Sequence, residues 1–345
     1  MSRNHAKSPS EKSSEPARDD AYLDSTLRPS RWDEYVGQKE IKENLRILLT
    51  AARERAHPPE HLLFYGAPGL GKTTLAYLIA KEIGSQIKIT SGPAIEKVGD
   101  LASILTNLST GDVLFIDEVH RLNKMIEEVL YPAMESGKLN IIIGRGPGAR
   151  TIQLELPPFT LIAATTRVAL LSSPLRSRFS GGVYKLNPYE KDEIERIIKR
   201  SAKILGVRID NDALGEIARR SRAVPRIANQ LLKRSRDYAQ VHKKEITGSV
   251  VREALKLFGL DELGLSGADK KILETIIYKF RGGPVGVGTL SAATEEEEAT
   301  IEDVYEPYLI QLGFLEKTPR GRTVTAAGYA HMGATAPAHM QKGFL

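Results

Sequence analysis

Lys72 and Thr73 close a glycine-rich stretch, Asp117 and Glu118 close an apolar one, and these four side chains have the types needed to handle a polyphosphate. From Gly66 to Thr73 the residues GAPGLGKT fit the phosphate-loop spacing. Glycine at Gly69 and Gly71 lets the backbone wrap closely around phosphates and aim successive N–H groups at them, because no side chain blocks the approach. Lys72 supplies a point charge for the terminal phosphates. Thr73, with Thr74 beside it, offers hydroxyls to phosphate and Mg²⁺, and the N-terminus of a helix over Thr73 to Ile83 adds partial positive charge. A Gly-Pro turn between strand and helix is the plainer alternative. The phosphate reading requires an apolar strand before the loop and an amphipathic helix after it, and the sequence supplies both.

The run Asp112 to Asp117 reads as a buried strand ending in Asp117-Glu118. A phosphate-loop nucleotidase needs one carboxylate in the Mg²⁺ shell and another to polarise the attacking water, roles that fall to Asp117 and Glu118. In isolation, a solvated acidic strand end would look the same. Another strand, Phe159 to Thr165, ends in Thr165-Thr166-Arg167, bringing hydroxyls to the carboxyl edge where doubly wound sheets bind ligands. Arg176 and Arg178 fall in a Ser-Pro turn and, on spacing alone, read as solvated charges. Arg226 follows Pro225 in the first turn of a helix, where a cation opposes the macrodipole unless an anion lies nearby.

Positioning these groups takes more than one ordinary domain, and 345 residues are enough for two or three. The net charge of +6 and pI near 9.2 point weakly to a polyanionic partner. Zero cysteines exclude disulfides and thiolate chemistry and fit a reducing, cytoplasmic setting. No apolar run approaches the ~18 residues of a membrane span, so no membrane role is expected. Residues 1–26, rich in Ser, Lys and Glu, read as a disordered tail.

Residues 27–186 then read as a large α/β domain: a helix from Gln38 to Ala56, strands at Leu62, Gln86 to Thr90, Asp112 and Phe159, and helices from Asp100 to Asn107 and Leu122 to Met134. Between Lys138 and Glu155 the pattern is a hairpin. Its consecutive Ile141, Ile142 and Ile143 put apolar side chains on both faces, so either both faces are covered or one is offered to a partner. Residues 187–262 show only helices and form a small helical domain. Residues 263–334 give three helices and a hairpin, the winged-helix order. Lys317, Arg320 and Arg322 fall at the hairpin tip, where a wing meets DNA phosphates. Acids outnumber bases in this module and include Glu295 to Glu298, so DNA contact must be local, and a protein-docking role stays open. Residues 335–345 read as a mobile tail.

The phrases GAPGLGKTTLA, DVLFIDEVHRL, EEVLYPAME, PPFTLIAATTR, SPLRSRF, PRIANQLLKRSRD, GGPVG and TIEDVYEPYLIQLGFLEKTPRGR closely resemble those of the RuvB family, the AAA+ motors of Holliday junction branch migration. The resemblance covers about residues 27 to 330. It implies an AAA+ P-loop ATPase domain with a parallel sheet between helices, a small helical lid domain and a C-terminal winged-helix DNA-binding domain. The implied assembly is a homo-hexameric ring on duplex DNA at Holliday junctions, with a RuvA-like junction-binding protein and a RuvC-like resolvase as partners.

The resemblance further implies ATP/ADP with Mg²⁺, held by Lys72, Thr73 and Thr74, and Asp117 and Glu118 as the Walker B pair. Thr166, with Thr165, becomes the γ-phosphate sensor, Arg178 the arginine finger of a neighbouring subunit's site, and Arg226 the second sensor. Leu27, Arg28, Tyr35, Val36 and Tyr189 correspond to the base enclosure, and Ile141, Ile142 and Ile143 to the surface for the RuvA-like partner. One departure is Glu295 to Glu298, where the family tends to carry a basic residue. A clamp-loader-type switch should carry a collar-forming helical domain in place of the winged helix. A nucleotide-gated scaffold that does not hydrolyse is disfavoured by Glu118.

Overall fold

Five short strands form the floor of the first part of the molecule, and their sequences explain why. Val113–Asp117 (VLFID) and Thr160–Thr165 (TLIAAT) are near-continuous apolar runs, as strands covered on both faces must be. The computed structural model describes residues 25–143 and 150–337, and shows two compact units. One comprises the described residues up to Gly206 together with Val224–Asn229; the other comprises Val207–Ala223 and the described residues from Gln230 on. The tails expected at 1–26 and 335–345 and the hairpin turn at 144–149 fall almost entirely outside the described residues.

In the first unit the order along the chain is α1 (Lys39–Glu54), β1 (Leu62–Tyr65), α2 (Lys72–Glu82), β2 (Ile87–Ser91), α3 (Val98–Thr106), β3 (Val113–Asp117), α4 (Lys124–Ser136), the hairpin β4 (Lys138–Ile143) and β5 (Arg150–Glu155), β6 (Thr160–Thr165), α5 (Ser173–Ser177), β7 (Gly182–Lys185) and α6 (Lys191–Ile204). The sheet order is β2-β3-β6-β1-β7, all parallel, so β1, β3 and β6 lie side by side and end at one carboxyl edge. That common edge is where a ligand meets residues from several strands at once. Strand β7 is absent from the sequence reading. It is four residues long, starts at glycine and leaves Val183 41% exposed, so its apolar signal is faint.

Helix α4 starts on Asn123, whose side chain accepts from Ile126 N at 3.0 Å, and stops at Gly137 in the left-handed region. The chain then returns as the β4–β5 ribbon, with Leu139 opposite Leu154 and Ile141 opposite Ile152. Leu139 is fully buried against α4, Ile141 and Leu154 are partly buried, and Ile152 is 43% exposed, so one apolar row runs out of the core into solvent. The side chains of Ile142 and Ile143 lie outside the described residues.

The second unit contains α7 (Asn211–Arg220), the body of α8 (Pro225–Val241) and α9 (Gly248–Leu257). Next come α10 (Gly267–Glu274), which widens into a π turn at Thr275–Lys279, and α11 (Val287–Thr294). A third helical stretch runs over Glu298–Thr300, Ile301–Tyr305 and Glu306–Gln311, and the hairpin β8 (Leu315–Thr318) and β9 (Gly321–Val324) follows. Leu265, Ile272, Ile276, Leu290, Ile301, Leu309 and Val324 bury themselves together as one apolar core. A last helix, Ala326–His331, which the sequence reading did not anticipate, adds Tyr329 to it.

Candidate functional site

The loop leaving β1 turns on Gly66, Gly69 and Gly71, all with positive φ. At Gly69 (φ 82°) a Cβ would stand 2.7 Å from Val224 Cγ1, and at Gly71 (φ 101°) one would stand 3.0 Å from the Tyr35 hydroxyl, so both dihedral and space demand glycine. The loop therefore closes against the start of α8 on one side and two tyrosines on the other. Between them lies a cavity of about 350 Å³. Of the residues expected around a nucleotide, Leu27, Arg28, Tyr35, Val36, Gly69, Gly71, Lys72, Thr73, Thr74, Asp117, Glu118, Thr166, Tyr189 and Arg226 all line it.

Lys72 is buried, and its ammonium rests on loop carbonyls, donating to Gly66 O at 2.8 Å and Ala67 O at 2.9 Å. Burial pushes its pKa down to about 8; Asp117 draws it up and the Arg226 charge pushes it further down. Two cations thus converge on one pocket, and among the described residues Lys72 forms no ion pair. This is the electrostatic condition of a site awaiting an anion.

Asp117 ends β3 with Oδ1 accepting from Glu118 N at 2.9 Å. Glu118 then adopts a left-handed backbone (φ 48°) that starts a single 3-10 turn over Val119–Arg121. The cost of that conformation, ~1–2 kcal/mol, is spent turning the carboxylate off the strand line. The side chain stays about half exposed and lies 3.7 Å from Arg121. The two carboxylates are thereby split, one fixed at the strand end and one free to meet a water.

Thr165 and Thr166 divide. Thr165 is fully buried, its hydroxyl engaged by His120 Nδ1 at 3.0 Å and accepting from Arg167 N at 3.0 Å, and it does not line the cavity. Thr166 does. The expectation that both contact nucleotide is corrected accordingly: only Thr166 lines the cavity, Thr165 being the last residue of β6 and Thr166 the first beyond it. Tyr35 and Tyr189 are buried with hydroxyls 3.3 Å apart, and Tyr189 also donates to Leu70 O at 3.1 Å. Burial raises both pKas, that of Tyr189 to about 12, so both remain neutral walls.

Arg200 and Asn229 also line the cavity, though no motif marks them. Arg200 donates to Leu27 O at 2.9 Å and pairs with Glu34 at 3.5 Å, while Asn229 Oδ1 accepts from Ser201 Oγ at 2.7 Å. They tie α6 and the first turn of α8 to the cavity wall. Among the described residues no cluster of three or more acidic or His side chains could hold a metal by itself. Thr73 and Asp117 face the same cavity, a donor set that fits Mg²⁺, which takes few protein ligands and fills its shell with phosphate oxygens and water.

Arg178 does not line the cavity. It follows α5, whose N-cap Ser172 also bonds the Tyr131 hydroxyl at 2.9 Å. Its guanidinium lies 4.4 Å over the Tyr131 ring, pairs with Glu135 at 2.9 Å and donates to Pro174 O at 2.6 Å. With 19% of its side chain exposed and Nε buried without a partner among the described residues, it is a held group, not a loose surface charge.

On the wing the three expected cations separate. Arg322 is corrected from an exposed tip residue to a buried one: 7% of its side chain is exposed, and its guanidinium is clamped by Glu306 and Glu302. Lys317 also pairs with Glu302, at 3.1 Å. Arg320 is exposed in the turn between β8 and β9.

Three family models match the chain in succession: the Holliday junction DNA helicase RuvB P-loop domain over residues 27–185, the RuvB AAA lid domain over 189–261 and the RuvB C-terminal winged helix domain over 262–333. The Holliday junction branch migration complex subunit RuvB of Dehalococcoides mccartyi (strain CBDB1) is 56% identical over 315 residues, covering 91% of this chain and 90% of that protein. The solved RuvB Holliday junction branch migration motor of Thermotoga maritima matches with TM-score 0.82 at 47% identity, over 90% of this chain and 100% of that one. A point mutant of the same protein matches with TM-score 0.83 at 47% identity, over 90% and 99%.

Proposed function

We propose that this chain, which belongs to the RuvB family of Holliday junction DNA helicases, is an ATP-driven motor of Holliday junction branch migration in recombination and repair. It is a P-loop AAA+ ATPase with a lid and a winged-helix domain. The observation that carries the reading is the convergence of Lys72 and Arg226 with Asp117 and Glu118 on one glycine-walled cavity.

In this reading residues 27–186 hydrolyse ATP, 187–262 form the lid and 263–334 meet DNA. The loop amides and Lys72 take the phosphates, and the ammonium exchanges the Gly66 and Ala67 carbonyls for phosphate oxygens. Arg226 adds its charge from the first turn of α8. Leu27, Arg28, Tyr35, Val36 and Tyr189 surround the base. Glu118 accepts the proton of the attacking water, and Thr166 orients the reacting end. Mg²⁺, held by Thr73 and Asp117, would neutralise charge on the phosphates. Because Arg178 is absent from its own cavity, a neighbouring subunit of a hexameric ring supplies it, and the ring encloses duplex DNA.

Ile141, Ile142 and Ile143 of the β4–β5 ribbon are the surface that docks a RuvA-like protein that holds the junction, and a RuvC-like resolvase acts at the same junction. Among the described residues no helix is long and apolar enough to cross a membrane, in keeping with work on DNA in the cytoplasm. Measuring ATP hydrolysis with and without four-way junction DNA, and with and without the RuvA-like partner, tests this function. Several-fold stimulation by the junction together with ATP-dependent movement of its branch point is expected. Hydrolysis indifferent to DNA, with a static branch point, would contradict it.

A further inference from the structure

Where the chain enters α8, two successive residues hold backbone angles that L-amino acids rarely adopt, Arg222 (φ 55°) and Ala223 (φ 57°). Both conformations are strained for L-residues, so the surrounding contacts must hold them there. The two compact units exchange at this point, since Ala223 ends a segment of the second and Val224 begins one of the first.

On the Val224 side lies the nucleotide cavity: Val224 Cγ1 and Arg226 Cβ pack against Gly69 of the phosphate loop, and Arg226 lines the pocket. On the Arg222 side lies the winged helix. The Arg222 guanidinium donates to both carboxylate oxygens of Asp269, at 2.5 and 3.4 Å, and to Gly264 O at 3.0 and 3.3 Å, and it lies 4.7 Å over the Tyr308 ring. Asp269 is fully buried and also accepts from Ser266 N at 2.7 Å in the cap of α10. Tyr308 sits on the third helical stretch and donates to Leu263 O at 2.5 Å. One planar side chain therefore grips two helices of the winged helix and the strand of chain leading into them.

We propose that Arg222 is a positioning residue that couples the nucleotide cavity to the winged helix, a role resting on the nucleotide reading of that cavity. The left-handed well is small, so while Arg222 and Ala223 are held in it a shift of Val224 and Arg226 toward bound phosphate is passed along the backbone instead of being absorbed by local rotation. The forked, stacked guanidinium then carries it to Asp269 and Tyr308, because bidentate pairing and ring stacking fix orientation as well as distance. Lysine at this place could satisfy the charge of Asp269 but not the fork, the Gly264 carbonyl and the ring together.

Amide hydrogen exchange on the full-length protein, with and without the β,γ-imido analogue of ATP and Mg²⁺, reads this coupling without DNA. In the wild type the analogue should slow exchange at residues 66–74, which reports binding, and by about 5-fold or more at residues 263–279, which reports coupling. Arg222→Lys should keep the first effect and lose most of the second. Full retention of the 263–279 response in this variant, or its absence in the wild type, overturns the proposal. Should Arg222→Lys lose its cooperative melting, Tyr308→Leu keeps Asp269 paired, removes the ring together with the hydroxyl's bond to Leu263 O, and should shrink the 263–279 response in the same direction; an unshrunken response overturns the proposal. No protection at 66–74 in the wild type would overturn the nucleotide reading and the coupling with it. Intact coupling in a protein whose hydrolysis ignores junction DNA would overturn the motor reading alone.

Discussion

The cations of the cavity and those of the wing differ in their partners. In the nucleotide cavity Lys72 leans on neutral carbonyls, and burial, with Arg226 pressing on it, lowers its pKa to about 8. At the wing Arg322 and Lys317 are already answered by Glu302 and Glu306. The Glu302 carboxyl is held below its usual range, first by the Lys317 hydrogen bond and then by that of Arg322. Crowded, unanswered cations mark a place for a ligand's charge; paired ones mark a place where the fold has used it. By this measure the cavity is built for phosphate, while on the wing only Arg320 remains positioned to meet it.

The comparison breaks most visibly through Glu118. Glu118→Gln should cut hydrolysis by roughly 10² to 10⁴ while leaving ATP binding intact, since an amide cannot accept the water's proton. Turnover at the wild-type rate would remove Glu118 from the chemistry. At the wing, Arg322→Ala should destabilise the winged helix by about 3 to 5 kcal/mol, because it leaves two glutamates facing an empty space, one of them buried. Arg320→Ala should instead leave melting unchanged and lower the salt slope of DNA binding by about 1. If Arg322→Ala melted like the wild type and changed only the salt slope, the distinction between paired and ligand-seeking cations would fail.

The smallest effect expected is one of pH. Burial holds the Lys72 pKa at about 8, below its ordinary range, and a bound phosphate must raise that value. Binding above pH 8 therefore takes up a proton, and ATP affinity should fall as pH rises past 8, by at most about tenfold per unit. Calorimetry in two buffers of different ionisation heat checks the uptake, and a flat affinity from pH 7 to 9.5 would contradict it.

What the sequence reveals and what it hides divide along the same line. The phosphate loop, Asp117 and Glu118 are legible because their function depends on neighbours in the chain, and a strand, a turn and a helix place them with little help from elsewhere. The burial of Arg322 is not legible, since its partners Glu302 and Glu306 come from a helical stretch, 20 and 16 residues away. Arg200 and Asn229 reach the cavity only through the packing of α6 and α8, and β7 is too short and too glycine-led to announce itself. Thr165 and Thr166 look equivalent in sequence, but β6 ends between them, burying the first and leaving the second at the cavity.

In the proposed function this cavity is half of a hydrolytic site, completed by Arg178 from a neighbour. Purified Lys72→Ala and Arg178→Ala proteins should each be nearly inactive, the first for want of phosphate binding and the second while still binding ATP. Allowed to exchange subunits, they should together recover ATP hydrolysis, because some interfaces then pair an intact Lys72 with an intact Arg178. Hydrolysis by the mixture no greater than the sum of the two alone would contradict it and return Arg178 to the role of a buried brace for Tyr131 and Glu135.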